Sequence, residues 1–164
     1  MMQKNKIKIK NMEHYEIPYV AMIEKRSFSI CAWNESMFRS ELENNDGRNI
    51  MLTAYFEDML AGYLIMQTGI DEAELMVLAV DEQFRKKGIA QLLMDTAEKM
   101  LDENIAQILL EVREKNIPAI NLYTKKGFER VGMRKNYYRD FSGQPPENAV
   151  LMTKYLKTEM LEKC

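Results

Sequence analysis

The tightest constraint on how this chain folds lies in residues 73–113. There a β-rich run, a basic turn closing on glycine, an amphipathic helix and an alternating strand follow one another. The run at 73–80 reads as a strand. Ile89, Leu92, Leu93, Ala97, Met100 and Leu101 then recur at three- and four-residue intervals, with Gln91, Asp95, Glu98 and Lys99 on the opposite side, which is helical periodicity. In 107–113 the period falls to two. Ile108, Leu110 and Val112 share one face, and Leu109, Glu111 and Arg113 share the other.

The flanking segments complete the pattern. Residues 7–12 read as a short strand, 16–28 as a helix turning Ile17, Val20, Met22 and Ile23 inward, and 35–43 as a second helix. Pro18 suits the first turn of its helix. Residues 49–56 and 59–67 form an antiparallel hairpin around Glu57 and Asp58, with Gly62 marking a bulge. Asn116 caps a short helix running through Lys126, and 128–138 and 148–155 add strands. Helices set between strands, after an antiparallel start, predict a single α/β domain over 1–164 with a mixed, mostly antiparallel central sheet flanked by helices. Its core spans 6–156, and 157–164 form a charged, partly amphipathic helical tail. No repeat, low-complexity tract or linker interrupts it, and the longest irregular stretch is 140–148, with Gly143, Pro145 and Pro146.

Composition narrows the functional classes. A chain of 164 residues, 46% hydrophobic and 29% charged, is large enough to bury roughly 70% of its unfolded surface without a metal or disulfide staple. A net charge of −2 argues against binding nucleic acid by broad phosphate neutralisation. The N-terminal stretch lacks the apolar run of a signal peptide, and no stretch reaches the ~18 consecutive apolar residues of a membrane span. Cys31 and Cys164 lie far apart, the second at the chain end, and read as reduced thiols of a cytoplasmic protein. His14 is the only histidine and sits near a helix start. Histidine–carboxylate triads and multi-histidine metal sites drop out, so no metal is expected. The 14 methionines fall mostly at apolar positions and read as core filler. A monomer or weak dimer is expected, with no nucleic acid or membrane partner.

Three groups of residues carry candidate chemistry. The turn Arg85-Lys86-Lys87-Gly88-Ile89-Ala90 opens the strong helix, and a helix start offers free N–H groups and partial positive charge to a phosphate. Gly88 permits close approach of a pyrophosphate, and the three cations add attraction. Charge and glycine alone read equally well as a solvated basic loop. The lysine–serine/threonine pair of a nucleotide-triphosphate loop and the third glycine of a dinucleotide fingerprint are absent. Glu111, mid-strand beside Leu109, is partly buried in this reading, which suits a carboxylate to general-base work. Tyr123 lies on the following helix on the side of Ala119 and Ile120, from which its phenol reaches the end of the Glu111 strand. Each has a plainer alternative, a solvent-facing strand glutamate and a core tyrosine with a wet tip. Asn136, Tyr137 and Tyr138 line a peptide groove or cover the sheet.

Read together, Leu78, Ala79 and Val80, the Arg85–Ala90 turn, Leu110-Glu111-Val112-Arg113, Asn116, and Asn121-Leu122-Tyr123-Thr124-Lys125-Lys126-Gly127-Phe128 resemble the GCN5-related N-acetyltransferase (GNAT) family in residue type, order and spacing. Ala32-Trp33-Asn34-Glu35, Arg134-Lys135-Asn136-Tyr137-Tyr138 and Asn148-Ala149-Val150-Leu151-Met152 look most like its RimI-type ribosomal-protein-alanine members. The resemblance covers nearly the whole chain and implies the acyl-CoA N-acyltransferase fold. It implies that Leu78, Ala79 and Val80 hold the pantetheine arm of acetyl-CoA by backbone groups and polarise the thioester carbonyl. Arg85, Lys86, Lys87, Gly88, Ile89, Ala90 and Gln91 would hold the pyrophosphate, and Asn116 would also contact coenzyme A. Glu111 would be the general base, Tyr123 the general acid, and Trp33, Tyr137 and Tyr138 would meet the acceptor. That acceptor is implied to be a protein N-terminus, that of a ribosomal protein. Ala90 departs from the glycine that many members carry, a change tolerated where contacts run through the backbone. An internal lysine, a polyamine or an antibiotic amine as acceptor, or a non-catalytic acyl-CoA sensor, are the alternative readings.

Overall fold

The computed structural model describes residues 6–28, 32–139 and 143–156. Cys31, Cys164, the expected tail helix at 157–164 and the first residues of the 140–148 loop lie outside the described residues. In chain order the elements are β1 (Ile7–Asn11), α1 (Ile17–Ser27), α2 (Glu35–Glu43), β2 (Asn49–Phe56), β3 (Met59–Thr68), β4 (Glu72–Val80), α3 (Ile89–Lys99), β5 (Gln107–Arg113), α4 (Ile117–Lys125), β6 (Glu129–Tyr138) and β7 (Glu147–Tyr155). The strands form one mixed sheet in the order β1-β2-β3-β4-β5-β7-β6, flanked by helices. β4 pairs with β5 in parallel over 72–75 and 107–110. The β1–β2, β2–β3, β5–β7 and β6–β7 pairs are antiparallel. Short 3-10 turns at His14–Glu16 and Glu82–Phe84 were not legible as elements in the sequence. Among the described residues no helix is long and apolar enough to cross a membrane.

By its internal contacts the chain divides into two compact units, 1–67 with 76–101 and 68–75 with 102–164, and β4 contributes to both. In the first unit Met12, Ile17, Val20, Ile23, Phe38, Met51, Tyr63, Ile65 and Ala79 form one buried cluster. Phe38 stands at its centre, edge-on to Tyr63 at 5.6 Å and tilted against Trp33 at 5.3 Å, aromatic geometry that adds to simple area burial. The expected inward position of Met22 is not observed, since it is half exposed. Two helical turns carry Ile17 onto Glu24 instead, so Glu24 takes the inward place. It is only 2% exposed, and such a carboxyl must be partnered. The Tyr63 hydroxyl donates to it, and so does the Trp33 N–H at 3.0 Å.

α3 buries Ile89, Leu93, Met94 and Ala97, whereas Met100, expected on the same stripe, falls beyond the helix end and is exposed. The β2–β3 hairpin carries the bulge the sequence anticipated. Ala54 pairs with Gly62 and Tyr55 with Leu60, so Ala61 is the extra residue. Its carbonyl accepts the Asp81 N–H at 2.8 Å, and a Cβ on Gly62 would stand 2.7 Å from the Ala79 carbonyl oxygen. The hairpin backbone thus lies directly against the end of β4.

In the second unit β5 alternates as its sequence requires, with Ile108, Leu110 and Val112 buried and Leu109, Glu111 and Arg113 half-buried. Asn116 caps α4 by accepting the Ala119 N–H at 3.3 Å, with proline in the first helical turn. The β6–β7 register shifts between Arg134 and Tyr138, and within that shift Asn136 adopts a φ of 53°. Its N–H donates to Oδ1 of Asn148 at 2.9 Å, whose Nδ2 donates to Glu114 at 2.9 Å. Short polar side chains thus hold the irregular backbone.

Candidate active site

The basic turn after β4 is held open by its own hydrogen bonds. The Asp81 carboxylate accepts the Gln83 N–H at 3.3 Å and pairs with Arg26 at 2.9 Å. The Arg85 Nε donates to the Val80 carbonyl at 3.1 Å. Phe84 is buried with its ring 5.8 Å from Phe56, and the Lys87 ammonium lies over the same Phe56 ring at 5.1 Å. Lys86 adopts a φ of 60° and Gly88 one of 82°. Gly88 caps α3 without a side chain, and its carbonyl accepts the Leu92 N–H at 3.0 Å. The N–H groups of Ile89, Ala90 and Gln91, in the first turn, have no intrahelical acceptor. Nothing lies within 4 Å of where a Gly88 Cβ would stand. Uncapped amides, open space and three cations form a donor set matched to a diphosphate. Leu78, Ala79 and Val80 form the last residues of β4, immediately before this turn. Trp33 is half-buried, tied to Glu24 through its N–H.

The acid and base candidates both belong to the second unit. Glu111 sits mid-β5, and its Oε1 lies 3.0 Å from a guanidinium nitrogen of Arg134 on β6. Tyr123 is 8% exposed, its ring tilted against Phe128 at 5.8 Å. Burial pushes its hydroxyl well above the usual tyrosine range, and the neighbouring Tyr138 adds to the effect. Tyr138 is pushed up to about 12, first by burial and then by the Glu111 charge, with Arg113 opposing. Tyr138 therefore lies in the electrostatic reach of both Glu111 and Tyr123. Tyr137, half exposed, packs edge-on to Tyr138 at 5.1 Å. Asn116 is exposed at the start of α4. Its side-chain oxygen is occupied by the cap, which leaves its NH2 group to donate.

Three residues at this site had no role in the sequence reading. Arg134 pairs with Glu111, Arg113 pairs with Glu147 at 3.1 Å, and Glu147 also accepts the Lys115 N–H at 2.9 Å. Each arginine covers a tyrosine ring, Arg113 over Tyr138 at 4.2 Å and Arg134 over Tyr137 at 5.2 Å. Period-two alternation puts Arg113 on the Glu111 face of β5, but no local pattern marks its pairing with Glu147 or that of Arg134 with Glu111. They meet only because β5 and β6 pair with opposite edges of β7.

Comparison with known proteins gives this arrangement its family. Residues 16–128 match the model of the acetyltransferase (GNAT) family. The [ribosomal protein bS18]-alanine N-acetyltransferase of Escherichia coli K12 is 32% identical over 148 residues, which is 88% of this chain and 94% of that protein. Its counterpart from Haemophilus ducreyi is 39% identical over 120 residues, 72% of this chain and 82% of that protein. The crystal structure of the ribosomal-protein-S18-alanine N-acetyltransferase from Escherichia coli superposes with a TM-score of 0.80 at 27% identity, covering 95% of this chain and 97% of that one. With the family model spanning most of the sequence and these relatives matched along nearly their whole length, the chain belongs to the acetyltransferase (GNAT) family and is an acetyl-CoA-dependent N-acetyltransferase.

Proposed function

We propose that this protein transfers the acetyl group of acetyl-CoA to the α-amino group of a protein N-terminus, and that a ribosomal-protein N-terminal alanine is its acceptor. The observation that carries this reading is the 32% identity to a bS18-alanine N-acetyltransferase over 94% of that protein. The acetyl-CoA diphosphate binds the N–H groups of Ile89, Ala90 and Gln91 with Arg85, Lys86 and Lys87 around it, and Gly88 leaves the approach clear. Leu78, Ala79 and Val80 meet the pantetheine arm through their backbone, and Asn116 adds a donor.

Acyl transfer to an amine needs a base for the ammonium proton, a donor for the developing oxyanion and an acid for the leaving thiolate. Glu111 takes the proton, so that the amine attacks as the neutral species. A backbone N–H near Val80 supports the oxyanion. Tyr123 gives its proton to the leaving thiolate and recovers one from the amine nitrogen as the amide forms. Trp33, Tyr137 and Tyr138 meet the acceptor. The test is mass spectrometry of reactions containing acetyl-CoA and peptides with free or blocked N-termini, ribosomal-protein N-termini among them. Acetylation of the free α-amine is expected. Glu111→Gln should lower turnover by about 10²- to 10⁴-fold while coenzyme A binding is kept. Turnover only on blocked peptides or small amines would remove the N-terminal assignment, and full activity in both Glu111→Gln and Tyr123→Phe would remove the two roles.

A further inference from the structure

The register around β7 collects charges on one face of the sheet. Glu111 of β5 pairs with Leu151, Arg113 of β5 with Ala149, and Arg134 of β6 also with Ala149. Leu151 and Ala149 are two residues apart and therefore share a face of β7. Ala149 is fully buried and its side chain is a single methyl, which leaves room for two long arginines to extend from either side. Two arginine–glutamate pairs result, and they differ in how firmly they are held. Glu147 uses both oxygens, one on Arg113 and one on the Lys115 N–H, and its side chain is only 16% exposed. Glu111 meets Arg134 through one oxygen, and the Arg134 side chain is 54% exposed.

We propose that Arg134 is the resting counter-ion of Glu111 and that the acceptor's ammonium group takes its place when the peptide binds. The Glu111 side chain is 21% exposed, and its pair, made through one oxygen to a guanidinium that faces solvent, yields to a second cation of comparable charge. The displaced guanidinium keeps a resting place over the Tyr137 ring at 5.2 Å. Exchange leaves one cation at the carboxylate before and after binding, and it admits only acceptors that arrive charged. A blocked N-terminus cannot displace the arginine. Arg113 cannot act this way, because its partner is committed on both oxygens.

This inference rests on the proposed role of Glu111, and its test reads binding, so that the two fail separately. Binding of a free-N-terminal acceptor peptide to the coenzyme A complex is measured by calorimetry in wild type, Arg134→Met and Arg134→Lys, each with Glu111 intact and with Glu111→Gln. Melting temperatures report whether each variant is folded. Removing the competing guanidinium should tighten the peptide about two- to fivefold in Arg134→Met. Arg134→Lys should restore wild-type affinity, and Arg134→Met should change nothing once Glu111 is glutamine. Unchanged or weaker binding in Arg134→Met with Glu111 intact overturns the exchange, as does an equal effect in both backgrounds. Should Arg134→Met unfold, Arg134→Gln replaces it with the same criteria. Full turnover in Glu111→Gln would instead overturn the base assignment.

Discussion

Replacing Gly62 by alanine should damage a site that the residue does not itself form. The added Cβ would meet the Ala79 carbonyl oxygen at 2.7 Å, Cγ2 of Val80 at 3.2 Å and Cα of Val80 at 3.3 Å. The first contact is about 0.7 Å short of ordinary van der Waals distance. Two of the three obstacles are backbone atoms of β4, so no rotamer change relieves them. The hairpin cannot simply retreat, because the Ala61 carbonyl beside it is bound to the Asp81 N–H at 2.8 Å. The end of β4 must therefore move, and Val80 is tied to the turn through Arg85. Overpacking of this kind costs roughly 1–3 kcal/mol, partly offset by roughly 0.4–1 kcal/mol from stiffening the unfolded chain. A net loss of about 1–2 kcal/mol lowers the melting temperature by about 2–8 °C in a chain of this size. If the strain falls on the coenzyme contacts, affinity for coenzyme A drops up to about tenfold. Scanning calorimetry and coenzyme A titration read the two effects. A variant that melts within about 1 °C of wild type and binds coenzyme A unchanged would refute the claim that this close approach sets the position of β4.

The other perturbations separate backbone, packing and charge. Gly88→Ala has space for its methyl but must hold a φ of 82°, so it should cost about 1–2 kcal/mol through the backbone alone and weaken coenzyme A binding in titration. Phe38→Ala empties a fully buried aromatic site between Trp33 and Tyr63 and should cost about 3–5 kcal/mol by urea denaturation, with a loss under about 1 kcal/mol counting against its central place. Burial raises Glu24 above its ordinary value, so the unfolded chain gives up that proton at lower pH than the folded one. The contribution of Glu24 is complete below about pH 4.5 and declines as pH rises through the raised folded value. Wild type should therefore lose stability relative to Glu24→Gln across that rise, and a difference that stays flat with pH would contradict the assignment.

Local pattern carried most of the architecture. The α2 boundaries, the 49–56 strand, the alternation of β5, the Asn116 cap and the glycine opening α3 all depend on neighbours within one or two turns of chain, where residue type decides conformation directly. The differences arose where position on a helix is set by what lies across from it. Met22 was expected inside, yet the helical turn that buries Ile17 buries Glu24 in its stead, and Tyr63 with the Trp33 backbone N–H makes that burial tolerable. Met100 left the apolar stripe because α3 ends at Lys99.

The sequence by itself determined the mixed α/β class, the order of elements and the uncapped helix start beside three cations, since these rest on periodicity and on the conformational limits of single residues. Tertiary structure alone decided that Arg134 faces Glu111, that Arg113 faces Glu147, and that Gly62 lies against Ala79. Those contacts join residues far apart in the chain, and only strand register fixes them: a slip of one residue along β7 would turn the charged face away from its partners.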